Sequence, residues 1–263
     1  MLEGWAGCDP VERVFRSKTF VAKTLFEAIG YRLGQKAAQA KNAFDLVGGT
    51  EEESLRAEIR LGRDLAAALL ERTPLIIEND STRFAAQIGS WLAASVKTKK
   101  LPISVRITAE GEPNAFALPG GPVFITWPLL EICGGERDQI GFLIAHEIAH
   151  ITLRHTLDRL VKDAALSLLM RQTSGRLAAG AWLQQVGSQV FSRTYSAANE
   201  LEADTFAVNL IAAAGGDPGA GELLLSKLVD QSHGSGVLQS TTYFGTHPPL
   251  AERIANLQLQ RSG

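Results

Sequence analysis

Apolar residues in the first third of the chain recur at the spacing of amphipathic helices. Residues 11–46 follow this pattern. Thr50 and Glu53 then have the spacing of a capping box, in which each side chain can accept a hydrogen bond from the backbone N–H of the other residue. The pattern therefore predicts a helix that begins after this box and ends near Glu71, and a second helix over residues 81–96.

Beyond residue 102 the period changes from helical spacing to an alternation of apolar and polar residues. Short alternating runs separated by a Pro-Gly-Gly-Pro turn at residues 119–122 are typical of strands joined by tight connections. A small antiparallel sheet is expected, with strands at residues 103–108, 114–118 and 123–126. The predicted fold class is α+β, mainly α with this one small antiparallel β-sheet.

Helical spacing returns after the sheet and continues to the end of the chain. An apolar helix is expected to begin between residues 136 and 139 and to run past His155. Further helices are predicted over residues 157–172, 177–213, 218–231 and 249–259.

Composition excludes several classes of partner. The chain has 263 residues, of which 45% are hydrophobic, so it can bury a substantial core. Its net charge of −2 provides no basic surface for nucleic acid. A membrane-spanning helix needs about 20 consecutive apolar residues, and the uncharged run at residues 177–192 is shorter and contains glutamine, glycine and serine. Neither nucleic acid nor a transmembrane helix is therefore expected.

The N-terminus leaves the cellular location open between two interpretations. Ala6, Gly7 and Cys8 resemble the end of a lipoprotein signal, in which small residues precede a cysteine that receives a lipid. In that case Cys8 anchors the protein peripherally to a membrane. The alternative is a chance Ala-Gly-Cys sequence.

Residues 146–150 read His-Glu-Ile-Ala-His within an apolar stretch. Two histidines four residues apart lie one turn apart on the same face of a helix, so His146 and His150 can bind one Zn²⁺. Glu147 is rotated by about 100° and can reach a water on the metal without binding the metal itself. The alternative is a coincidental core, but a buried carboxylate costs several kcal/mol unless a cation compensates it.

A catalytic zinc site commonly takes three protein ligands, so one more ligand is needed. Glu200 and Asp204 share a face of a later apolar helix, which makes Glu200 a candidate ligand and Asp204 a candidate hydrogen-bond acceptor for a ligating histidine. The alternative is a solvated acidic stripe. Glu202 points away from that face. On a continuous helix His155 would lie opposite His146, which excludes His155 as a ligand and favours a surface or second-helix contact.

Three motifs in the same order resemble a family of zinc endopeptidases. They are the pentapeptide at residues 146–150, the Glu-x-Glu-Ala-Asp motif at residues 200–204, and Asn-Ala-Phe-Ala-Leu-Pro-Gly-Gly at residues 114–121. The family includes CAAX prenyl proteases, HtpX-type membrane peptidases, mitochondrial OMA-type peptidases and periplasmic BepA-type proteases. The resemblance implies a zincin-like metallopeptidase domain over residues 53–263, preceded by a helical extension over residues 1–52.

The resemblance also implies roles for individual residues. One Zn²⁺ per chain is expected on His146, His150 and Glu200, with Glu147 as the general base. The resemblance places a peptide-binding sheet edge along one segment, whose residues are Asn114, Ala115, Phe116, Ala117 and Leu118. An exposed edge offers backbone groups to an extended substrate, although Pro119 would also suit a capped edge.

His247 matches a histidine often found near the end of this domain, and its role is open between three alternatives. As a candidate catalytic residue it stabilises the oxyanion, or it blocks the open metal position in a resting state. It is otherwise an ordinary loop residue before the last helix. Relatives often carry an arginine three residues before the glutamate ligand, where this chain has Ala197, and Arg193 is a candidate substitute.

The predicted function is zinc-dependent hydrolysis of peptide bonds in unfolded or misassembled proteins. The expected partners are protein or peptide substrates, and the expected setting is quality control in a bacterial cell envelope, in the periplasm. The alternative is a zinc-stabilised holdase that binds such proteins with little or no cleavage. A third hypothesis is latency, with residues 156–192 or 232–246 covering the cleft.

Overall fold

The computed structural model describes residues 50–70, 79–96, 101–109, 112–160, 195–234, 247 and 250–262. Within these ranges the elements are α1 (Glu51–Leu70), α2 (Asp80–Ser95), β1 (Ser104–Thr108), β2 (Ala115–Ala117), β3 (Pro122–Thr126), α3 (Trp127–Ile132), α4 (Arg137–Thr152), α5 (Ala197–Ala213), α6 (Ala220–Gly234) and α7 (Leu250–Ser262). This mainly helical chain with one small sheet confirms the predicted α+β class. The helix predicted over residues 11–46, and Cys8, lie outside the described residues, so the division at residue 52 stays a prediction.

The sheet is mixed, which corrects the predicted antiparallel arrangement. Its strand order is β1-β3-β2, with β1 parallel to β3 and β2 antiparallel to β3. The reason is that β3, rather than β2, pairs with β1. The connection after β1 reverses the direction and the turn at residues 119–122 reverses it again, so β3 runs in the direction of β1. β3 therefore lies in the centre, and β2 is an edge strand of the described sheet.

Helix α1 begins at the predicted capping box and packs across the turn that precedes β3. The backbone N–H of Thr50 donates to Glu53 Oε2 at 2.9 Å, and the N–H of Glu53 donates to Thr50 Oγ1 at 3.3 Å. Gly62 lets the helix approach this turn closely, since a Cβ there would lie 1.7 Å from the carbonyl oxygen of Pro119. Buried Glu58 accepts a hydrogen bond from the backbone N–H of Gly120 at 3.2 Å.

Helix α4 is the centre of the fold. Every residue from Gln139 to Thr152 is buried, as expected for a helix that is apolar on all sides. Helices α2, α5 and α6 and the sheet pack around it. The prediction that it runs past His155 was wrong, because the helix ends at Thr152 and a new helical segment begins at His155. Arg154 between them has φ 62°, in the left-handed region that an L-residue seldom adopts.

Helix α5 begins at Ala197, so the continuous helix predicted over residues 177–213 was wrong at residues 195 and 196. Ser196 is extended, with φ −69° and ψ 152°, and its side chain accepts a hydrogen bond from the backbone N–H of Asn199. Serine is among the preferred residues at this position because it satisfies an N–H that the first turn leaves unpaired. This cap separates Tyr195 from the helix and places its ring in the core.

The described helices differ from membrane spans in length and polarity. The longest of them, α1, has 20 residues and carries three glutamates in its first turn. Across the described ranges, none combines the length and the apolar character that crossing a bilayer would require.

Candidate metal centre and active site

Helices α4 and α5 and His247, three residues before α7, bring four donor side chains together. His146 and His150 come from α4, Glu200 from the first turn of α5, and His247 from the segment that precedes α7. All four are buried, and one ligand atom from each lies within 4.8 Å of all the others. The structure thus brings the three predicted metal ligands together and adds His247 to them.

The spacing of the donor atoms fits a zinc ion. His146 Nε2 lies 3.1 Å from His150 Nε2, and each of these nitrogens lies 3.4 Å from a different oxygen of Glu200. Tetrahedral zinc with bonds of 2.0–2.1 Å separates its ligand atoms by about 3.3 Å. Two imidazoles and a carboxylate at this spacing therefore have both the chemistry and the dimensions of a zinc site.

The balance of buried charge also fits a divalent cation. Three carboxylates, those of Glu147, Glu200 and Asp204, are fully buried beside one guanidinium, that of Arg253. With the carboxylates ionised and the histidines neutral, as metal ligation requires, these four groups carry a net charge of −2. Neither oxygen of Glu147 has a hydrogen-bond partner among the described residues. A dication would compensate this charge, since buried carboxylates without partners are costly.

The predicted partner of His146, the buried carboxylate of Asp204, lies beside the Nδ1 atom of its ring. Its Nδ1 lies 2.9 Å from Asp204 Oδ1. Burial and the charge of Arg253 lower the pKa of His146, but hydrogen bonds to Asp204 and Glu200 outweigh them and raise that pKa to about 9. Burial opposes ionisation of Asp204, yet Arg253 and His146 bring the pKa of its carboxyl down to about 2.

Arg253 joins the candidate site, although no sequence motif included it. Its Nε and Nη2 donate to the two oxygens of Asp204 at 2.8 and 2.7 Å, and its Nη1 lies 3.0 Å from Glu200 Oε2. It supplies positive charge beside the glutamate, although Ala197 replaces the family's arginine; Arg193 lies outside the described residues. A signal existed, because Arg253 falls on the buried face of α7 between Leu250 and Leu257.

His150 has different neighbours from His146. Tyr195 stacks on its ring, with 3.8 Å between the ring centroids and 14° between the planes. Burial lowers the pKa of His150 well below its usual value, although a hydrogen bond to Glu200 opposes this. No sequence signal singled out Tyr195, because the predicted helix ran through it.

His155 is absent from the four-donor cluster, in agreement with the prediction, but the argument for that prediction was wrong. It rested on a continuous helix, whereas the chain breaks at Arg154. His155 is buried, its Nδ1 lies 3.1 Å from His150 Nδ1, and its Nε2 lies 3.3 Å from Glu202 Oε2. It therefore makes the predicted contact with a second helix, α5, while also contacting a candidate ligand.

The segment from Asn114 to Leu118 contains the edge strand β2, and α4 packs beside it. Leu118 donates its N–H to the carbonyl of Pro122 at 2.8 Å. Because antiparallel pairing alternates, the backbone groups of Ala115 and Ala117 point away from β3, and no strand among the described residues pairs on that side. Both alanines are buried, backbone included, with 0% and 2% of their surface exposed, and Phe116 stacks on Phe124.

Comparison with known proteins agrees with this geometry. Residues 81–260 match peptidase family M48. The β-barrel assembly-enhancing protease of Escherichia coli (strain K12) is 28% identical over 215 residues, which are 77% of this chain and 43% of that protein. The mitochondrial metalloendopeptidase OMA1 of Schizosaccharomyces pombe is 26% identical over 179 residues, covering 68% and 52% of the two chains.

A shorter match is closer in sequence. The mitochondrial metalloendopeptidase OMA1 of Saccharomyces cerevisiae is 51% identical over 57 residues, which are 22% of this chain and 16% of that protein. The chain spans about half the length of the curated relatives with the longer matches. Because the family match covers more than half of the chain, this protein belongs to peptidase family M48.

Proposed function

We propose that this member of peptidase family M48 is a zinc-dependent endopeptidase that hydrolyses peptide bonds of unfolded or misassembled proteins. The observation that carries the proposal is the buried donor cluster of His146, His150 and Glu200, with the carboxylate of Glu147 beside it. These three donors would hold one Zn²⁺ per chain. When bound, the ion would lower the pKa of a water molecule and polarise the scissile carbonyl.

The roles of the protein groups follow from their surroundings. Glu147 lies next to the first ligand on α4 and has no hydrogen-bond partner among the described residues, so its oxygens can take the proton of the attacking water. The same carboxyl then delivers the proton to the leaving amine. Asp204 accepts from His146 Nδ1 at 2.9 Å, which keeps the other ring nitrogen directed towards Glu200.

The edge of β2 is the proposed binding site for the substrate backbone. An extended peptide would pair with the outward backbone groups of Ala115 and Ala117 once this buried edge is uncovered, while the rest of the segment, Asn114, Phe116 and Leu118, holds the strand against β3. Main-chain pairing gives affinity without selecting particular side chains. This mode of binding suits substrates that expose backbone because they are unfolded.

The proposed setting is protein quality control in a bacterial cell envelope. The Escherichia coli relative is named a β-barrel assembly-enhancing protease, and the fungal relatives are named mitochondrial metalloendopeptidases. Peripheral attachment through a lipid on Cys8 is part of the same proposal. Fractionation of cells that express the full-length protein, with and without Cys8→Ser, tests both statements.

Replacing Glu147 with glutamine tests the proposed chemistry. Glu147→Gln keeps the size of the side chain but cannot take a proton, so cleavage of casein should fall by at least about 100-fold. Zinc content, measured by atomic emission, should stay at one ion per chain. A chelator should abolish cleavage by the wild type, and added zinc should restore it.

Glu252→Gln is the matched control, because it makes the same chemical change at an exposed position of α7. It should cleave casein like the wild type. A wild type that binds zinc and protects unfolded proteins from aggregation, but never cleaves them, would replace the proposal with the holdase alternative.

His247 lies inside the cluster, which supports a role at the metal. Its Nδ1 is 3.0 Å from Glu200 Oε1 and 3.4 Å from His146 Nε2, and its Nε2 is 3.7 Å from Glu147 Oε1. Blocking of the open position predicts faster cleavage by His247→Ala, whereas oxyanion stabilisation predicts slower cleavage. Unchanged turnover and zinc affinity would exclude both roles.

A further inference from the structure

We infer that His155 is a positioning residue for His150, and that it connects this ligand to Glu202 at the protein surface. The inference rests on the proposed zinc site, since it concerns the second nitrogen of a proposed ligand. His155 lies between the two other groups, with its Nδ1 3.1 Å from His150 Nδ1 and its Nε2 3.3 Å from Glu202 Oε2.

The backbone places His155 in this position by breaking helix α4. Five residues apart on a continuous helix, His150 and His155 would point about 140° apart and could not meet. The left-handed conformation of Arg154, with φ 62°, ends the helix and turns the next residue back towards His150. A non-glycine residue pays for this conformation, and such cost persists only where surrounding contacts compensate it.

Helix α1 supplies those compensating contacts. The guanidinium of Arg154 donates to Ser54 Oγ at 3.0 Å and lies 3.5 Å from the buried carboxylate of Glu58. Glu58 also accepts the N–H of Gly120 in the turn before β3. The break in α4 is thus fixed from a second helix and from the sheet, which makes the position of His155 a built feature of the fold.

Zinc binding by His150 would determine which ring nitrogen carries the hydrogen in His150 and in His155. If His150 binds zinc through Nε2, its Nδ1 carries a hydrogen and must donate. His155 Nδ1 must then accept, so His155 carries its own hydrogen on Nε2 and donates it to Glu202. A histidine that ligates a metal commonly directs its other N–H to a carboxylate or carbonyl. Here a second histidine links that N–H to the carboxylate.

The inference is tested with two variants of similar size. His155→Asn places an amide oxygen near the position of Nδ1 and can still accept from His150, whereas His155→Leu cannot accept a hydrogen bond. Zinc affinity, measured by competition with a chromophoric chelator, should fall about 10-fold to 100-fold in His155→Leu. His155→Asn should stay within about threefold of the wild type.

The contact between His155 and Glu202 is tested in the same way. Glu202→Gln keeps an acceptor oxygen and should bind zinc like the wild type. Glu202→Leu should weaken binding by only a few-fold, because the Glu202 side chain is 60% exposed and water can accept in its place. Circular dichroism of each metal-free variant checks that the fold is retained.

Three results would overturn the inference. Equal zinc affinities of His155→Leu and His155→Asn would show that acceptance of a hydrogen bond is not what matters at this position. A larger loss in Glu202→Leu than in His155→Leu would place the effect at the surface rather than at His150. Absence of zinc binding by the wild type would remove the proposed function together with this inference.

Discussion

The two histidines of helix α4 lie one turn apart, yet their surroundings have opposite character. His146 faces Asp204, which is clamped by Arg253, and all three side chains are fully buried. His150 faces His155 and stacks on Tyr195. One ligand is thus held by buried charge, and the other by neutral and aromatic groups.

This difference teaches how a single helix can hold a cation in the core. The charged partners of His146 raise its pKa to about 9, whereas burial lowers the pKa of His150. If both ligands had a directly bound buried carboxylate, the site would contain one more uncompensated charge. On the less charged side His155 contacts Glu202, whose side chain is 60% exposed, whereas the partners of His146 are fully buried.

The largest expected effect on stability comes from removing Arg253, the buried cation beside His146. Arg253→Met keeps most of the buried volume but leaves Asp204 and Glu200 without their guanidinium. Removing one partner of a buried ion pair commonly costs about 3–5 kcal/mol. We expect the free energy of unfolding of the metal-free protein to fall by that amount, as measured by urea denaturation followed by circular dichroism.

Arg261→Met is the matched control on the same helix. Arg261 pairs with Glu222 at 2.8 Å, but its side chain is 54% exposed, and exposed pairs contribute about 1 kcal/mol or less. Similar losses in the two variants would contradict the view that buried charge holds the side of His146.

How far the sequence predicted the site also differs between the two sides. The partner of His146 was predictable because Glu200 and Asp204 are four residues apart and therefore share a face of one helix. The neighbours of His150 were not, because they depend on two breaks in predicted helices. The break at Arg154 is held by tertiary contacts with α1, and the cap at Ser196, where α5 starts, interrupts an apolar pattern that favoured a continuous helix.

In the fold, too, features set by local sequence patterns were predictable, and features set by contacts between distant segments were not. Local patterns predicted the capping box at Thr50 and the three strands to within about two residues. The parallel pairing of β1 with β3 depends on the path of the chain between strands, which alternation does not encode. Arg253 was missed for a related reason: its partners lie 49 and 53 residues away, and spacing on one helix cannot reveal them.

The pH dependence of stability should separate the two histidines in the metal-free protein. The folded-state pKa of His146, about 9, exceeds the unfolded value near 6.5. Its contribution of about 3 kcal/mol is therefore fully present below pH 6.5 and is lost as the pH rises through about 9. The pKa of His150 is lowered, so its burial destabilises the fold as the pH falls below about 6.5.

Urea denaturation between pH 5 and 10 measures both effects. His146→Asn should flatten the alkaline side of the stability profile, and His150→Asn should flatten its acidic side. If both variants changed the same side of the profile, the proposed electrostatic difference between the two ligands would be wrong.

The smallest expected effect on stability comes from changing Tyr195, the aromatic neighbour of His150. Tyr195 packs against His150 with nearly parallel rings and has the guanidinium of Arg159 4.2 Å from its ring centroid. Tyr195→Phe keeps the ring and should change the free energy of unfolding by less than about 0.5 kcal/mol, whereas Tyr195→Leu should cost about 1 kcal/mol. Urea denaturation distinguishes them. Equal losses would assign the effect to the hydroxyl group, and His150 would then depend on a polar contact, as His146 does.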